Sequence, residues 1–351
     1  MRKIFILAVT ALTLYGCTSN KCVIKGDIEG LEGTIYLFDE TGAPIDSTIV
    51  EQGKFKFAEV ADTTHVAYLV NNEESNDPFS LILITEPGKI TVSGEVKMPH
   101  DIHATGTPAN EANTAYAKSN QELSKRYNAE GQSDEQRKKI EEEFTTLTRK
   151  TMEDNLDNYL GVALLTHMLS FQMTGSETLE AISKFTPELQ QSKLLTKLKK
   201  EALEKQKTEV GQHYLEIIQN DPTGKPISLS SVIHNPANKY VLVDFWATWC
   251  HPCMGEVPFL IADYEKYHAQ GFEIYGVSFD IDRGNWMQAI EKRKMNWIHV
   301  SDLHRFDNAA ARDYAVKSIP SNFLIESATG KIVAVNLRGE ALAQKLAELL
   351  P

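Results

Sequence analysis

The stretch "YVLVDFWATWCHPC", residues 240–253, constrains the fold more than any other part of the chain. Its opening "YVLVDFW" is β-branched, aromatic and apolar except for Asp244, the pattern of a strand buried on both faces. Strands of that kind belong to sheets covered by helices on each side. The run then ends in Cys-His-Pro-Cys. Pro252 suits the first turn of a helix, where a missing N–H leaves no bond unmade. The stretch therefore predicts a central strand that empties into a helix. Cys250 is expected at its first turn and exposed, with Cys253 one turn further and more buried.

Two cysteines at this spacing can bind a metal, staple a fold or exchange electrons. A structural zinc site needs four ligands, usually two such pairs or cysteines with histidines at set spacings. Only one pair is present here; Cys17 and Cys22 are distant in sequence, and His251 inside the motif would be a strained ligand. No metal is expected. A bridge across two residues closes a tiny loop and removes little chain entropy, so a purely structural role is also weak. Position favours redox chemistry. A thiolate at a helix N-terminus meets unpaired N–H groups and the positive end of the dipole, which lower its pKa. That supplies an attacking thiolate and a resolving thiol within reach of each other.

At 351 residues the chain suits two or three domains. Residues 22–106 read as short alternating strands separated by Gly, Pro and Asn/Asp clusters, which predicts an all-β sandwich. Within it, "EQGKFKF" reads as a hairpin with Gly53 in the turn and Phe55 and Phe57 on one face. Residues 108–210 turn helical, with a cap at Ser133/Asp134 and a stripe of Ile140, Phe144 and Leu147. His167 in that block reads as a packed core residue. From 213 to 351 strands and helices alternate, with helices expected near 251–268, 284–294, 307–315 and 339–349. The fold class is thus multidomain: a β-sandwich, a helical segment and a C-terminal α/β domain. The net charge of −12 argues against a nucleic-acid binder, which needs a basic face.

The N-terminus is a targeting segment. Arg2 and Lys3 precede "IFILAVTALTL", about eleven apolar residues and too few to span a bilayer as a mature helix. It closes on "LYGC", which resembles a bacterial lipoprotein signal. That resemblance implies removal of residues 1–16, a diacylglycerol on Cys17 and a tether to the lipid bilayer. A plain secretory signal and an uncleaved anchor are the alternatives; both also send the chain out of the cytoplasm. "TSNK" after Cys17 lacks an acidic cluster, which favours a cell-envelope lipoprotein facing the periplasm, on the outer or inner membrane. Cys22 reads as a spare thiol, or one free to pair with another chain.

"VDFWATWCHPC" resembles the active site of thioredoxin-fold proteins, and the block 213–351 resembles the envelope-anchored TlpA/ResA-type thiol–disulfide oxidoreductases. "GKPISLSSV", "KYVLVDFWATWCHPCMGEVPFL", "GVSFD" and "SIPSNFLIESATGKIV" carry the resemblance. The segment "IDSTIVEQGKFKF" resembles an uncharacterised β domain that precedes such domains in envelope lipoproteins. The resemblance implies that Cys250 is the nucleophile and Cys253 the resolving thiol. It makes Pro320 the cis-proline beside the pair, and Ile319 a backbone partner for an extended substrate. Asp244 matches the buried carboxylate of thioredoxin, where many TlpA/ResA relatives are neutral; Glu256 matches a carboxylate of the ResA branch that tunes acidity or substrate choice. Trp249, His251 and Pro252 wall the site, Trp246 packs behind it, and no cofactor is implied. His251 in the motif favours a potential somewhat more oxidising than Gly-Pro would give.

The implied partners are exported proteins carrying disulfides, with apocytochrome c among them, and a membrane electron donor. Disulfide isomerase or oxidase activity, and a lipid-anchored binding protein with an accessory redox domain, are the competing readings. A peroxiredoxin-type peroxidase is disfavoured, because Ala247 stands where that site needs a Thr three residues before its Cys.

Overall fold

The structure is a computed structural model that describes residues 21–60, 65–71 and 78–351. The signal segment 1–16 and the lipidation candidate Cys17 lie outside the described residues. The chain forms two compact units. One runs to Phe171 and takes in Lys184–Leu195; the other comprises Gln172–Ser183 and Thr196–Pro351.

The first unit opens with β1 (Cys22–Glu29), β2 (Thr34–Asp39), β3 (Pro44–Ile49), β4 (Lys54–Val60), β5 (His65–Asn71), β6 (Ser80–Thr85), β7 (Gly88–Glu95) and β8 (Met98–Thr105). They form two four-stranded sheets, β4-β1-β7-β8 and β3-β2-β5-β6. Alternation along the strands sends Ile24, Ile28, Ile90 and Val92 of one sheet and Ile35, Leu37, Leu69 and Leu83 of the other into a shared core. The sandwich is therefore as expected, but its "EQGKFKF" segment is not a hairpin. The turn itself is tight, with Glu51 and Lys54 exchanging backbone bonds of 2.9 and 3.0 Å. Yet β3 pairs with β2 and β4 with β1, so this turn carries the chain from one sheet to the other. Gly53 makes the close approach: its φ is +80°, and a Cβ there would lie 2.6 Å from the Ile28 carbonyl oxygen. Phe55 and Phe57 do share the buried face. Cys22 is buried at the start of β1 and burial pushes its thiol up to about 11, so it is not placed to pair with another chain.

Helices α1 (Pro108–Tyr127), α2 (Asp134–Glu153), α3 (Tyr159–Leu164), α4 (Gly175–Ser183), α5 (Pro187–Gln190) and α6 (Lys193–Gln206) follow. Ser133 caps α2 in a reciprocal box with Gln136. The segment 108–210, expected as a block of its own, is instead shared between the two units. Amphipathic helices without a common core bury their stripes on whichever body adjoins them. His167, read as a core residue, is exposed. It sits in a π turn, Leu165–Leu169, whose extra residue rotates the helical face.

The second unit contains β9 (Ile218–Asn220), β10 (Pro226–Ser228), α7 (Leu229–Ile233), β11 (Tyr240–Trp246), α8 (His251–Tyr267), β12 (Phe272–Ser278), α9 (Arg283–Arg293), β13 (Ile298–Val300), α10 (Ala309–Asp313), β14 (Ser321–Glu326), β15 (Lys331–Val335) and α11 (Glu340–Leu349). Its five-stranded sheet has the order β13-β12-β11-β14-β15. β11 is central, parallel to β12 and antiparallel to β14, and buried from Val241 to Trp246. The register aligns Asn322, Asp244, Gly276 and His299 in one row across four strands. Asn322 also clamps the segment that follows β15. Its Nδ2 donates to the Leu337 carbonyl at 2.8 Å, and its Oδ1 accepts from the Leu337 N–H at 2.9 Å.

Removing that clamp leaves two backbone groups without their partner. Asn322→Ala is expected to destabilise this unit by about 2 kcal/mol. All four tryptophans, at 246, 249, 286 and 297, lie in this unit, so urea unfolding followed by Trp fluorescence reads the loss directly.

Candidate active site at the start of helix α8

β11 leaves the sheet at Trp246 and the chain turns through Ala247–Trp249 before α8 begins. A buried carboxylate holds that turn. Asp280, just beyond β12, accepts from the Thr248 hydroxyl at 2.5 Å and from the Thr248 N–H at 3.2 Å, and from the Ser278 hydroxyl at 2.8 Å. The Phe279 N–H donates to the Trp246 carbonyl at 2.8 Å. Asp280 closes the "GVSFD" motif, but no role of its own was legible there.

Cys250 is the N-cap of α8, with extended backbone at φ −85° and ψ 98°. It was expected in the first helical turn and instead stands one position before it. His251 and Pro252 are the first two helical residues and both are exposed. The Cys250 sulfur accepts from the Cys253 N–H at 3.2 Å, doing what a Ser or Asp side chain does at other helix starts. The two sulfurs are joined in a disulfide. Cys250 was expected to be exposed, but its side chain is 5% exposed against 3% for Cys253. The cap position folds it back over the first turn.

The two tryptophans of the motif separate in role. Trp246 is buried, its ring 5.5 Å from that of His299. Trp249 is 44% exposed, with Phe306 at 6.0 Å and the Arg305 guanidinium 5.2 Å over its ring. Leu303 and Arg305 both have left-handed backbone, at φ +62° and +52°, and Asp302 ties the loop down through Asn308 and the Ala309 N–H. Trp249 was named from sequence as a wall residue; the Leu303–Phe306 loop against it was not.

Asp244 is buried in the middle of β11. Desolvation pushes its carboxyl up to about 7; the Arg338 charge opposes the rise and the Glu256 charge adds to it. Glu256 lies on the second turn of α8, half-buried, and accepts the Gly339 N–H at 2.8 Å. The Ile319–Pro320 bond is cis, as expected. Ser321 pairs with Phe245, so Pro320 stands at the sheet end where β11 gives way to the cysteine loop. Arg338 donates to the Pro320 carbonyl and, at 3.1 Å, to that of Leu337. Burial lowers its own pKa while the charges of Asp244 and Glu256 support it. Three residues picked from sequence thus converge on one that was not, and no periodicity or spacing marked Arg338. Among the described residues no group of three or more His, Cys, Asp or Glu is placed to hold a metal ion, and no helix is long and apolar enough to cross a membrane.

The Asp244 carboxyl binds its proton more tightly in the folded than in the unfolded chain, whose ordinary value is 3.8. Between pH 4 and about 7 the native state holds the extra proton, so its stability falls as pH rises through that window and levels off above it. Asp244→Asn removes this dependence. The variant is expected to gain a few kcal/mol more over the parent at pH 8 than at pH 4.5, checked by urea midpoints of the oxidised protein at the two pH values.

Comparison with known proteins agrees with this geometry. The family model described as "Domain of unknown function (DUF4369)" matches residues 22–113, and the model of the AhpC/TSA family matches residues 210–335. The thiol–disulfide oxidoreductase ResA of Bacillus thuringiensis subsp. konkukian is 30% identical over 151 residues, covering 41% of this chain and 79% of the relative. ResA of Bacillus subtilis is 31% identical over 118 residues, covering 34% and 62%. The thioredoxin domain of a thiol–disulfide oxidoreductase from Bacteroides vulgatus is 33% identical, with a TM-score of 0.37, over 41% of this chain and 99% of that one. With a cysteine pair at the start of α8, a cis-proline at the same sheet end and the match to ResA over 79% of that relative, the chain belongs, through its C-terminal unit, to the ResA-type thiol–disulfide oxidoreductases.

Proposed function

We propose that this thiol–disulfide oxidoreductase works in the cell envelope as a periplasm-facing lipoprotein and reduces disulfides of exported proteins. The observation that carries the redox part is the Cys250–Cys253 disulfide at the N-terminus of α8. In the reduced protein the Cys250 thiolate is stabilised by the helix N–H groups, including that of Cys253. It attacks one sulfur of a substrate disulfide; that bond breaks, a mixed disulfide forms, and the first substrate thiolate leaves and takes up a proton. The Cys253 thiol gives its proton to Asp244 and attacks the Cys250 sulfur. The bond between Cys250 and the substrate sulfur breaks as the Cys250–Cys253 disulfide forms, the second substrate sulfur leaves as a thiolate and takes up a proton, and two electrons have passed to the substrate. A membrane dithiol donor then returns two electrons and two protons. Ile319 and cis-Pro320 present backbone to an extended substrate strand, with Trp249, His251 and Pro252 as the wall. Exported proteins, apocytochrome c among them, are the substrates this reading names.

The envelope location rests on the N-terminal segment, with Arg2, Lys3, the apolar run and Cys17 in "LYGC". Direction of electron flow rests on the compartment. Disulfides persist outside the cytoplasm, so a dithiol kept reduced there needs its own donor. A reduction potential below roughly −230 mV supports a reductant; a value above roughly −180 mV replaces the reductase reading with an isomerase or oxidase. A glutathione or dithiothreitol buffer series read by Trp fluorescence measures it.

Two variants check the assignment. Cys250→Ser is expected to abolish reduction of a peptide disulfide by several orders of magnitude. Cys253→Ser is expected to accumulate a mixed disulfide on Cys250, visible by mass spectrometry. For the tether, Cys17→Ala is expected to move the protein from the membrane to the soluble fraction of the envelope and to end labelling by fatty acid.

A further inference from the structure

Arg338 links the cis-proline loop to the charges of Asp244 and Glu256. It follows β15 and precedes α11, in a segment held by the Asn322 clamp on Leu337. Its guanidinium donates to the carbonyl of Pro320 and to that of Leu337. The next residue, Gly339, gives its N–H to Glu256 at 2.8 Å, which ties that carboxylate to the segment carrying Arg338. Asp244, on the adjoining central strand, and Glu256 are the charges that act on Arg338. Asn322 and Gly276, which flank Asp244 in the sheet, carry no charge. His299, one strand further, is held neutral by burial, with its pKa lowered to about 4. The Cys250–Cys253 disulfide does not titrate. Asp244 therefore answers to one cation and one anion, from two different elements.

We propose that Arg338 is a positioning residue for disulfide exchange: one guanidinium holds the carbonyl of cis-Pro320 and is the shared counter-charge of Asp244 and Glu256. The loop that receives the substrate strand and the carboxylate that takes the Cys253 proton are then set by the same group. This deepens the oxidoreductase reading and rests on it for its catalytic meaning. Glu256 acquires a defined part as well. Through Gly339 it fixes the segment that carries Arg338, and its charge competes with that of Asp244 for the guanidinium. Arginine suits the position because its planar fork donates to two carbonyls at once while keeping its charge when half-buried.

The test reads the Asp244 carboxyl directly, by 13C NMR titration of the oxidised full-length protein, with its signal assigned by loss in Asp244→Asn. Removing the cation in Arg338→Met is expected to raise the Asp244 midpoint by about one pH unit. Removing the anion in Glu256→Gln is expected to lower it, and Arg338→Lys is expected to restore the parent midpoint. In turnover, Arg338→Met should then resolve a mixed disulfide about fivefold more slowly at pH 7 and catch up with the parent near pH 9, as the ionised fraction recovers. Midpoints that stay put, or that move the same way in Arg338→Met and Glu256→Gln, overturn the proposal. So does a rate loss in Arg338→Met that is the same at every pH. Should Arg338→Met not fold, the opposite shift of Glu256→Gln and the parent-like midpoint of Arg338→Lys still decide. A parent protein that reduces no disulfide while the midpoints move as stated would sink the oxidoreductase reading and leave the electrostatic coupling standing.

Discussion

Everything at the site depends on the burial of one strand. β11 has Val241, Leu242, Val243 and Phe245 wholly covered, with neighbours hydrogen-bonded on both edges. A strand so enclosed has only one way to continue, out of the end of the sheet, and α8 starts there. The unpaired N–H groups of that helix must find acceptors, and the Cys250 sulfur supplies one. The placement of the pair follows from a packing constraint: one member of the disulfide caps the helix and the other lies in its first turn.

The same burial creates the electrostatic problem. A carboxylate in the middle of β11 loses its hydration, and nothing in the strand returns it. Asp244 therefore rises towards neutrality, to about 7, where it can both accept and release a proton. What keeps it from going further is a cation delivered from the opposite end of the domain in sequence, Arg338, steadied by the Asn322 amide. The cis-Pro320 carbonyl is tied to that cation, so the cis-proline loop and the buried acid are linked through one side chain. Asp280 performs a parallel task on the other flank, fixing Thr248 and with it the approach to Cys250.

The N-terminal unit is built by different rules. Its two sheets share one alternating pattern and enclose an aliphatic core, with glycine used where backbones approach closely. Gly26 lies beneath the Phe55 ring with no room for a Cβ. Gly53 lets the chain pass from one sheet to the other. Cys22, inside this core, is shielded from exchange with outside thiols by the burial that raises its pKa.

Local pattern determined a great deal of this protein. The double-sided apolar run declared β11, Pro252 declared the start of α8, and the position of the cysteine pair between them favoured redox chemistry, because each is a property of residues adjacent in the chain. The alternation of 22–106 likewise declared strands, and the helices of the C-terminal domain end within a few residues of their expected places. Pairing was not legible. "EQGKFKF" carries a hairpin's turn chemistry, yet sheet partners are chosen by long-range packing, and the two strands part. A single π turn rotated His167 out of the face its spacing implied. Cys250 lies buried because capping geometry, not sequence position, decides where its sulfur points. Arg338 and Asp280 were silent for a related reason. Each acts on residues 18 or more positions away, and an ionic or hydrogen-bonded partner at that distance leaves no periodic trace; only the closed sheet brings them to the site.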